Sequence, residues 1–275
     1  MTASAECITF DQLEDIIYLV DHVHGFNFYD YSRASLKRRV TRVMNLKRLD
    51  LFELKNLLVN DEQFFEYFLK EITVNVTEMF RDPGFYKSLR ENVLPYLASF
   101  QHIKIWNAGC STGEEVYSYA ILLKEQGLYE RSLLYGTDIN SDVLEHARNG
   151  VYDLRKMKLY TENYRESGAE RSLVNYYTAQ YDAACIHNEL KSKTLFSIHN
   201  LVSDGVFNEF QLISCRNVLI YFTVNLQQKV MQLFYDSLQP LGFLCLGSKE
   251  RLRNESVAER FKLIDKKFNI YQKIG

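Results

Sequence analysis

The chain has 275 residues, 47% of them apolar, and a formal net charge of −2. Such a length holds one large or two ordinary domains with a sizeable core. Five cysteines (Cys7, Cys110, Cys185, Cys215 and Cys245) form no Cys-x-x-Cys pair, and no apolar run nears the ~18 residues of a membrane-spanning helix, so a disulfide-stapled scaffold and a helical membrane protein are excluded.

Residues 9–72 read as helical. Leu13, Ile16, Ile17 and Val20 recur at helical spacing before Gly25; Leu36, Val40, Val43 and Leu46 form a second stripe; Phe64, Phe65, Phe68 and Leu69 belong to a later helix. No clear strand falls here, so residues 1–74 are expected to form a helical domain. Within it, Tyr31 to Arg48 carries Arg33, Lys37, Arg38, Arg39, Arg42, Lys47 and Arg48 and no acid. Arg38 and Arg42 share a helix face, as do Arg39 and Arg42. A solvated face is one reading. A cation cluster this dense in a slightly acidic chain favours a patch that steers an acidic partner, either a nucleic acid or an acidic helix.

Residues 73–81 connect this region to the rest. Asp82-Pro83 reads as an N-cap followed by proline at the first helical position. The helix it opens carries Phe85, Leu89, Val93 and Leu97, with Pro95 as a kink. From residue 102 strands and helices alternate: strand 102–107, helix 114–126 ended by Gly127, strand 132–137, helix 140–149 ended by Gly150, strand 210–215, helix 223–238, and strands 241–247 and 267–273. Alternation of this kind predicts a mainly parallel sheet with helices on both faces and an antiparallel edge pair after strand 241–247. Residues 151–200 break the pattern. Tyr176 to Tyr181 and Thr194 to Ile198 read as short strands of an inserted antiparallel hairpin or small sheet.

The stretch Ile105 to Tyr117, Ile-Trp-Asn-Ala-Gly-Cys-Ser-Thr-Gly-Glu-Glu-Val-Tyr, carries the most chemistry. A strand runs into a loop with Gly109 and Gly113, and a helix follows: the order in which doubly wound folds build a nucleotide-type site. There is no third glycine at the dinucleotide position and no Gly-Lys-Ser/Thr ending. Glu114 and Glu115 stand where a phosphate would want bare N–H groups. Two carboxylates there favour a cationic ligand, and S-adenosylmethionine, with a sulfonium, an ammonium and no phosphate, fits. Asp138, about 20 residues past the loop at the end of the second strand, stands where a ribose is bound. The six histidines show no metal-site spacing, so no metal is expected. The N-terminal Met-Thr-Ala-Ser-Ala-Glu has neither a basic start nor an apolar core, and a cytoplasmic, reducing setting is expected.

Together these motifs resemble the chemotaxis receptor glutamate O-methyltransferases of the CheR type. The resemblance spans nearly the whole chain. It rests on Ser35-Leu-Lys-Arg-Arg-Val-Thr-Arg42, Asn75-Val-Thr-Glu-Met-Phe-Arg-Asp82, Ala108-Gly-Cys-Ser-Thr-Gly-Glu-Glu-Val-Tyr-Ser118, Thr137-Asp-Ile-Asn140, His199-Asn-Leu201 and Cys215-Arg-Asn-Val-Leu-Ile-Tyr-Phe222. It implies an N-terminal all-α domain, an α/β S-adenosylmethionine-dependent methyltransferase (Rossmann-like) domain over 75–275, and a small β-subdomain inserted at about 151–200. It also implies that Asn75, Thr77 and Arg81 reach over the cofactor, Glu115 holds its methionine part, Asp138 its ribose, and Asn200, Leu201, Asn217 and Val218 line its pocket. The basic helix, with Arg33, Lys37, Arg38, Arg39 and Arg42, would meet acidic methylation-site helices of a chemoreceptor, with no nucleic acid and no membrane insertion expected. Val116 and Leu241 depart from the family pattern, which has Pro and Gly there.

The implied chemistry needs no general base, because a glutamate with a pKa of about 4.3 is already ionised at neutral pH. Arg81 is the candidate for positioning the substrate carboxylate through paired hydrogen bonds, and Tyr221 for contributing a hydroxyl. A methyltransferase of the same fold acting on another protein or a nucleic acid, and a non-catalytic module that senses S-adenosylmethionine, remain as alternatives.

Overall fold

A computed structural model describes residues 8–72, 77–252 and 255–274. The chain divides into two compact units, Met1–Asn75 with Tyr221–Gln227, and Val76–Ile220 with Gln228–Gly275.

In the first unit the described residues form α1 (Phe10–His24), α2 (Arg33–Lys47), α3 (Leu51–Asn60) and α4 (Glu62–Ile72). Local chemistry sets their limits. The Thr9 hydroxyl accepts the Gln12 N–H at 3.1 Å while the Gln12 side chain accepts the Thr9 N–H at 2.7 Å, so two end donors are met reciprocally. Gly25 ends α1 at φ +67°, a left-handed cap that glycine adopts without strain. Asp50 and Glu53 cap α3 in the same reciprocal way. Leu13, Ile17, Val20, Leu36, Val40, Val43, Leu54 and Phe68 fill the core between the helices. The second stripe departs from expectation at one place: Leu46 is exposed and Met44 is buried instead.

The second unit holds α5 (Pro83–Asn92), α6 (Leu94–Leu97), β1 (Ile103–Ala108), α7 (Glu114–Glu125), β2 (Ser132–Asp138), α8 (Ser141–Asn149), β3 (Val151–Asp153) and α9 (Met157–Glu166). There follow β4 (Tyr177–Gln180), β5 (Ala183–Ile186), α10 (Asn188–Lys191), β6 (Thr194–Ile198), β7 (Phe210–Cys215), α11 (Val224–Ser237), β8 (Leu238–Leu246), β9 (Phe261–Asp265) and β10 (Ile270–Lys273). The main sheet has seven strands in the order β6-β2-β1-β7-β8-β10-β9. The first five run parallel, and β10 and β9 close it antiparallel. Successive strand side chains point to opposite faces. Ile103 and Ile105 accordingly enter the core shared with Tyr119 and Leu122 of α7, while Trp106 lies against Phe234 of α11 on the other face. The sheet is covered on both faces, as a mostly parallel sheet requires.

The expectation for residues 151–200 is corrected. Thr194–Ile198 is the parallel edge of the main sheet, paired to Leu134–Asp138 of β2, and not part of the inserted sheet. Its β signal is local, but its partner is set by a strand some sixty positions earlier, which a short apolar run cannot name. The small antiparallel sheet is instead β3-β5-β4, and helix α9 lies within the insertion. The terminal region holds the expected antiparallel edge pair, β9 and β10, and the helix after Pro83 is interrupted at Val93 beside Pro95, where a kink is expected, since proline clashes with a preceding helical turn.

Candidate active site at the carboxyl ends of the strands

β1 lies between β2 and β7, where the strand order reverses, and open α/β sheets bind ligands in the crevice beyond the strand ends at such a point. The loop from β1 into α7 is moored to β2. The N–H groups of Gly109 and Cys110 both donate to the Thr137 carbonyl at 2.8 Å. The Ser111 N–H donates to Asp138 Oδ2 at 2.9 Å, and the Asn140 N–H to Oδ1 at 3.1 Å. Gly109 takes φ +71°, and a Cβ there would stand 2.4 Å from Cγ2 of Val218. Asp138 is buried; burial pushes its carboxyl above the ordinary value, against the pull of the Asn140 and Ser111 N–H groups.

The two acids that open α7 part company. Glu114 is buried and accepts the Thr112 hydroxyl at 2.6 Å and the Tyr160 hydroxyl at 3.3 Å. Burial raises its carboxyl. Its side chain is thus engaged by the loop and by α9. Glu115 accepts the Ser214 hydroxyl at 2.7 Å and Nη1 of Arg216 at 2.9 Å. Asp82 opens α5 in the left-handed region, φ +59°, without capping it by its side chain. Asp82 holds the expected N-cap position ahead of Pro83, but its carboxylate turns to Nη2 of Arg216 at 2.6 Å.

Arg216 is the centre of this arrangement, and the sequence reading did not single it out. Its side chain is 2% exposed, lies 4.0 Å over the Phe85 ring and also donates to the Arg81 carbonyl at 3.2 Å. Burial works against its charge, but Glu115 foremost, with Tyr86 and Asp82, holds the guanidinium above its usual value. A planar fork that serves two carboxylates and a carbonyl is a task for arginine and not lysine. The available signal was its position: a cation directly after a strand, β7, whose every residue is buried.

The remaining expected residues fall as follows. Thr77 and Arg81 are half-buried in the connector; Asn75 lies outside the described residues. The Asn200 side chain accepts the Val202 N–H at 2.9 Å, and its own N–H donates to Asp204 at 2.8 Å, which shapes the turn with Leu201. Asn217 sits at φ +63°, and Val218 abuts Gly109. Tyr221 clusters with the helical unit, where the Arg39 guanidinium stands 5.0 Å over its ring and its carbonyl accepts the Ser32 N–H at 2.8 Å.

On α2 the cations divide. Arg33 pairs with Glu14 of α1 and donates to the Tyr29 carbonyl at 2.9 Å. Arg39 donates to the Ile72 carbonyl at 2.8 Å, and burial lowers its pKa. Lys37 lies 4.6 Å over the Phe10 ring. Arg42 meets Glu71 at 3.8 Å yet is 71% exposed, and Arg38 is exposed. The face left to a partner is thus narrower than the charge run suggests.

The residues fit S-adenosylmethionine. Both polar atoms of Asn107, the Ser111 hydroxyl and the amide nitrogen of Asn140 are buried without a hydrogen-bond partner among the described residues. They surround the loop where a polar nucleoside would supply partners, and Gly109 provides the close backbone approach. Asp82, Glu115 and Asp138 against Arg216 suit a cationic ligand better than a pyrophosphate. No group of three or more His, Cys, Asp or Glu among the described residues is placed to hold a metal, and no described helix is long and apolar enough to cross a membrane.

This sheet order, with an acid at the end of β2 and an acidic first turn on α7, defines an S-adenosylmethionine-dependent methyltransferase. Residues 75–269 match the family described as CheR methyltransferase, SAM binding domain, and the chain belongs to that family. It is 43% identical over 262 residues, 95% of each chain, to a Pseudomonas putida protein named methyltransferase Cher3. It is 31% identical to a chemotaxis protein methyltransferase of Listeria innocua, covering 84% of this chain and 86% of that one. It is also 32% identical to chemotaxis protein methyltransferase 1 of Vibrio cholerae over 70% of each.

Proposed function

We propose that this chain is a protein-glutamate O-methyltransferase of chemotaxis, converting glutamate side chains on the cytoplasmic helices of chemoreceptors to methyl esters. The observation that carries the reading is the Asp82–Arg216–Glu115 constellation beside the Asp138-moored loop: an acidic, arginine-braced crevice suited to a sulfonium donor. The names of the Listeria and Vibrio relatives and the exposed Arg38 and Arg42 support an acidic protein substrate.

When bound, S-adenosylmethionine supplies a methyl group on a positively charged sulfur. Asp138 would hold the ribose, Glu115 the methionine part, and Asn75, Thr77, Asn200, Leu201, Asn217 and Val218 the rest. The substrate glutamate is already an anion, so no residue of this chain has to move a proton. Arg81 orients that carboxylate by paired hydrogen bonds, weak enough at the attacking oxygen to leave it nucleophilic, and Tyr221 contributes a hydroxyl. Orientation of this kind accounts for on the order of 7–11 kcal/mol of a barrier. The helical residues 1–74 present α2 to the receptor, and residues 75–275 carry the transfer.

The test is transfer of radiolabelled methyl from S-adenosylmethionine to receptor cytoplasmic fragments, with release of the label as methanol in mild base. Arg81→Ala should bind S-adenosylhomocysteine within a few-fold of wild type and lose most transfer. Label appearing in RNA or DNA instead, or a wild-type chain that binds the cofactor but esterifies no receptor fragment, would refute the proposal.

A further inference from the structure

Glu250, in the segment after β8, has no place in the reading so far. It is 4% exposed. Its Oε2 accepts the N–H of Gly247 at 2.6 Å and the N–H of Asn217 at 2.9 Å, and its Oε1 accepts the N–H of Leu219 at 2.7 Å. Three main-chain donors from two segments converge on one side chain. The seat is built for it: a Cβ on Gly247 would stand 2.5 Å from the Glu250 carboxylate and 2.8 Å from the Asn217 nitrogen.

The turn it holds joins β7 to the helical turn beginning at Leu219. Asn217 stands there in the left-handed region, which asparagine enters more readily than other residues with a Cβ. A buried N–H without an acceptor is costly, and Glu250 meets the donors that this shape leaves over. The same turn carries Arg216 at one end and sets the Val218 methyls against Gly109.

We propose that Glu250 is a positioning residue for cofactor binding: its carboxylate clamps the Arg216–Leu219 turn so that Asn217 and Val218 form one wall of the crevice and Arg216 meets Glu115. The inference rests on the reading of Asn217 and Val218 as cofactor contacts. Glutamate is required because it presents two acceptor oxygens. Glutamine has nearly the same shape but turns an amide nitrogen towards one of the N–H donors.

The experiment compares wild type with Glu250→Gln and Gly247→Ala. Calorimetry gives S-adenosylhomocysteine affinity, and methyl-transfer kinetics are resolved into KM for each substrate and kcat. Both variants should raise the cofactor Kd and KM by about tenfold or more, leave the receptor KM within twofold, and recover kcat at saturating cofactor. A folded Glu250→Gln with unchanged cofactor affinity, or a fall in kcat with both KM values unmoved, overturns the clamp. A wild-type chain that does not bind S-adenosylhomocysteine overturns the cofactor reading itself. Hydrogen exchange on wild type decides the matter should the variants not fold. The Asn217, Leu219 and Gly247 amides should be protected together and gain protection with S-adenosylhomocysteine, and a fast-exchanging Asn217 amide in the complex refutes the clamp.

Discussion

Arg216 shows how one buried side chain can set the electrostatics of a site. A buried guanidinium is stable only when its partners are in place, and removal of one member leaves an uncompensated charge. Arg216→Ala should therefore lower unfolding free energy in urea by about 3–5 kcal/mol, whereas Arg216→Lys, which keeps the charge and loses the fork, should fall between; equal losses would mean that the geometry is irrelevant. Asp138 makes a different prediction. Burial raises its carboxyl, so a proton returns to it at a higher pH than to a free aspartate. In its proposed role towards the ribose, Asp138 is needed as the ionised acceptor. Cofactor affinity should hold above that raised value and decline as pH falls through it, and Asp138→Asn should bind more weakly with a flattened profile. Calorimetry across acidic pH tests this; identical slopes for the two proteins would dismiss the role. Both residues stand in motifs visible in the sequence. Only Asp138 stands out in the sequence as a candidate, since its distance from the glycine loop is fixed by one strand-helix-strand unit, whereas the partners of Arg216 lie more than a hundred positions upstream.

At the scale of elements, the β1–α7 unit is specified by a strand pattern, two glycines at positive φ and a helix stop near Gly127, all of them local. Gly109→Ala tests the tightness of the loop. The backbone conformation alone should cost about 1–3 kcal/mol, and the clash with Val218 should reduce cofactor affinity by an order of magnitude or more; a variant that binds normally would show that the loop can yield. Helix α2 shows the reverse. Its charge run suggested a broad basic face, but Glu14, Glu71 and the Ile72 carbonyl come from other helices and engage Arg33, Arg42 and Arg39. Arg38→Glu with Arg42→Glu should therefore cut receptor methylation at least tenfold, by analogy with charge reversal at a steering surface, and spare cofactor affinity. If esterification of receptor fragments were unaffected, docking through α2 would be wrong.

For the molecule as a whole, the proposed acidic crevice for the donor and basic face for the substrate predict different responses of the two ligands to salt. Exposed charges are screened over about 8 Å at 0.15 M ionic strength, and buried pairs much less. Raising salt from 50 to 500 mM should increase the KM for receptor fragments several-fold and barely move the KM for S-adenosylmethionine; parallel changes would contradict the division. The sequence by itself determined the alternation of strands and helices, the glycine loop, the acid at the end of β2, the helical N-terminal region and the family, because each is a local pattern whose period or spacing the backbone reads directly. Tertiary structure alone decided that Thr194–Ile198 joins the main sheet, that Glu114 meets Thr112 and Tyr160 while Glu115 meets Ser214 and Arg216, and that Asp82, Glu115 and Arg216 converge. Those outcomes depend on which distant strands pair and which side chains share a buried space, and pairing and burial are properties of the folded chain, not of any window along it.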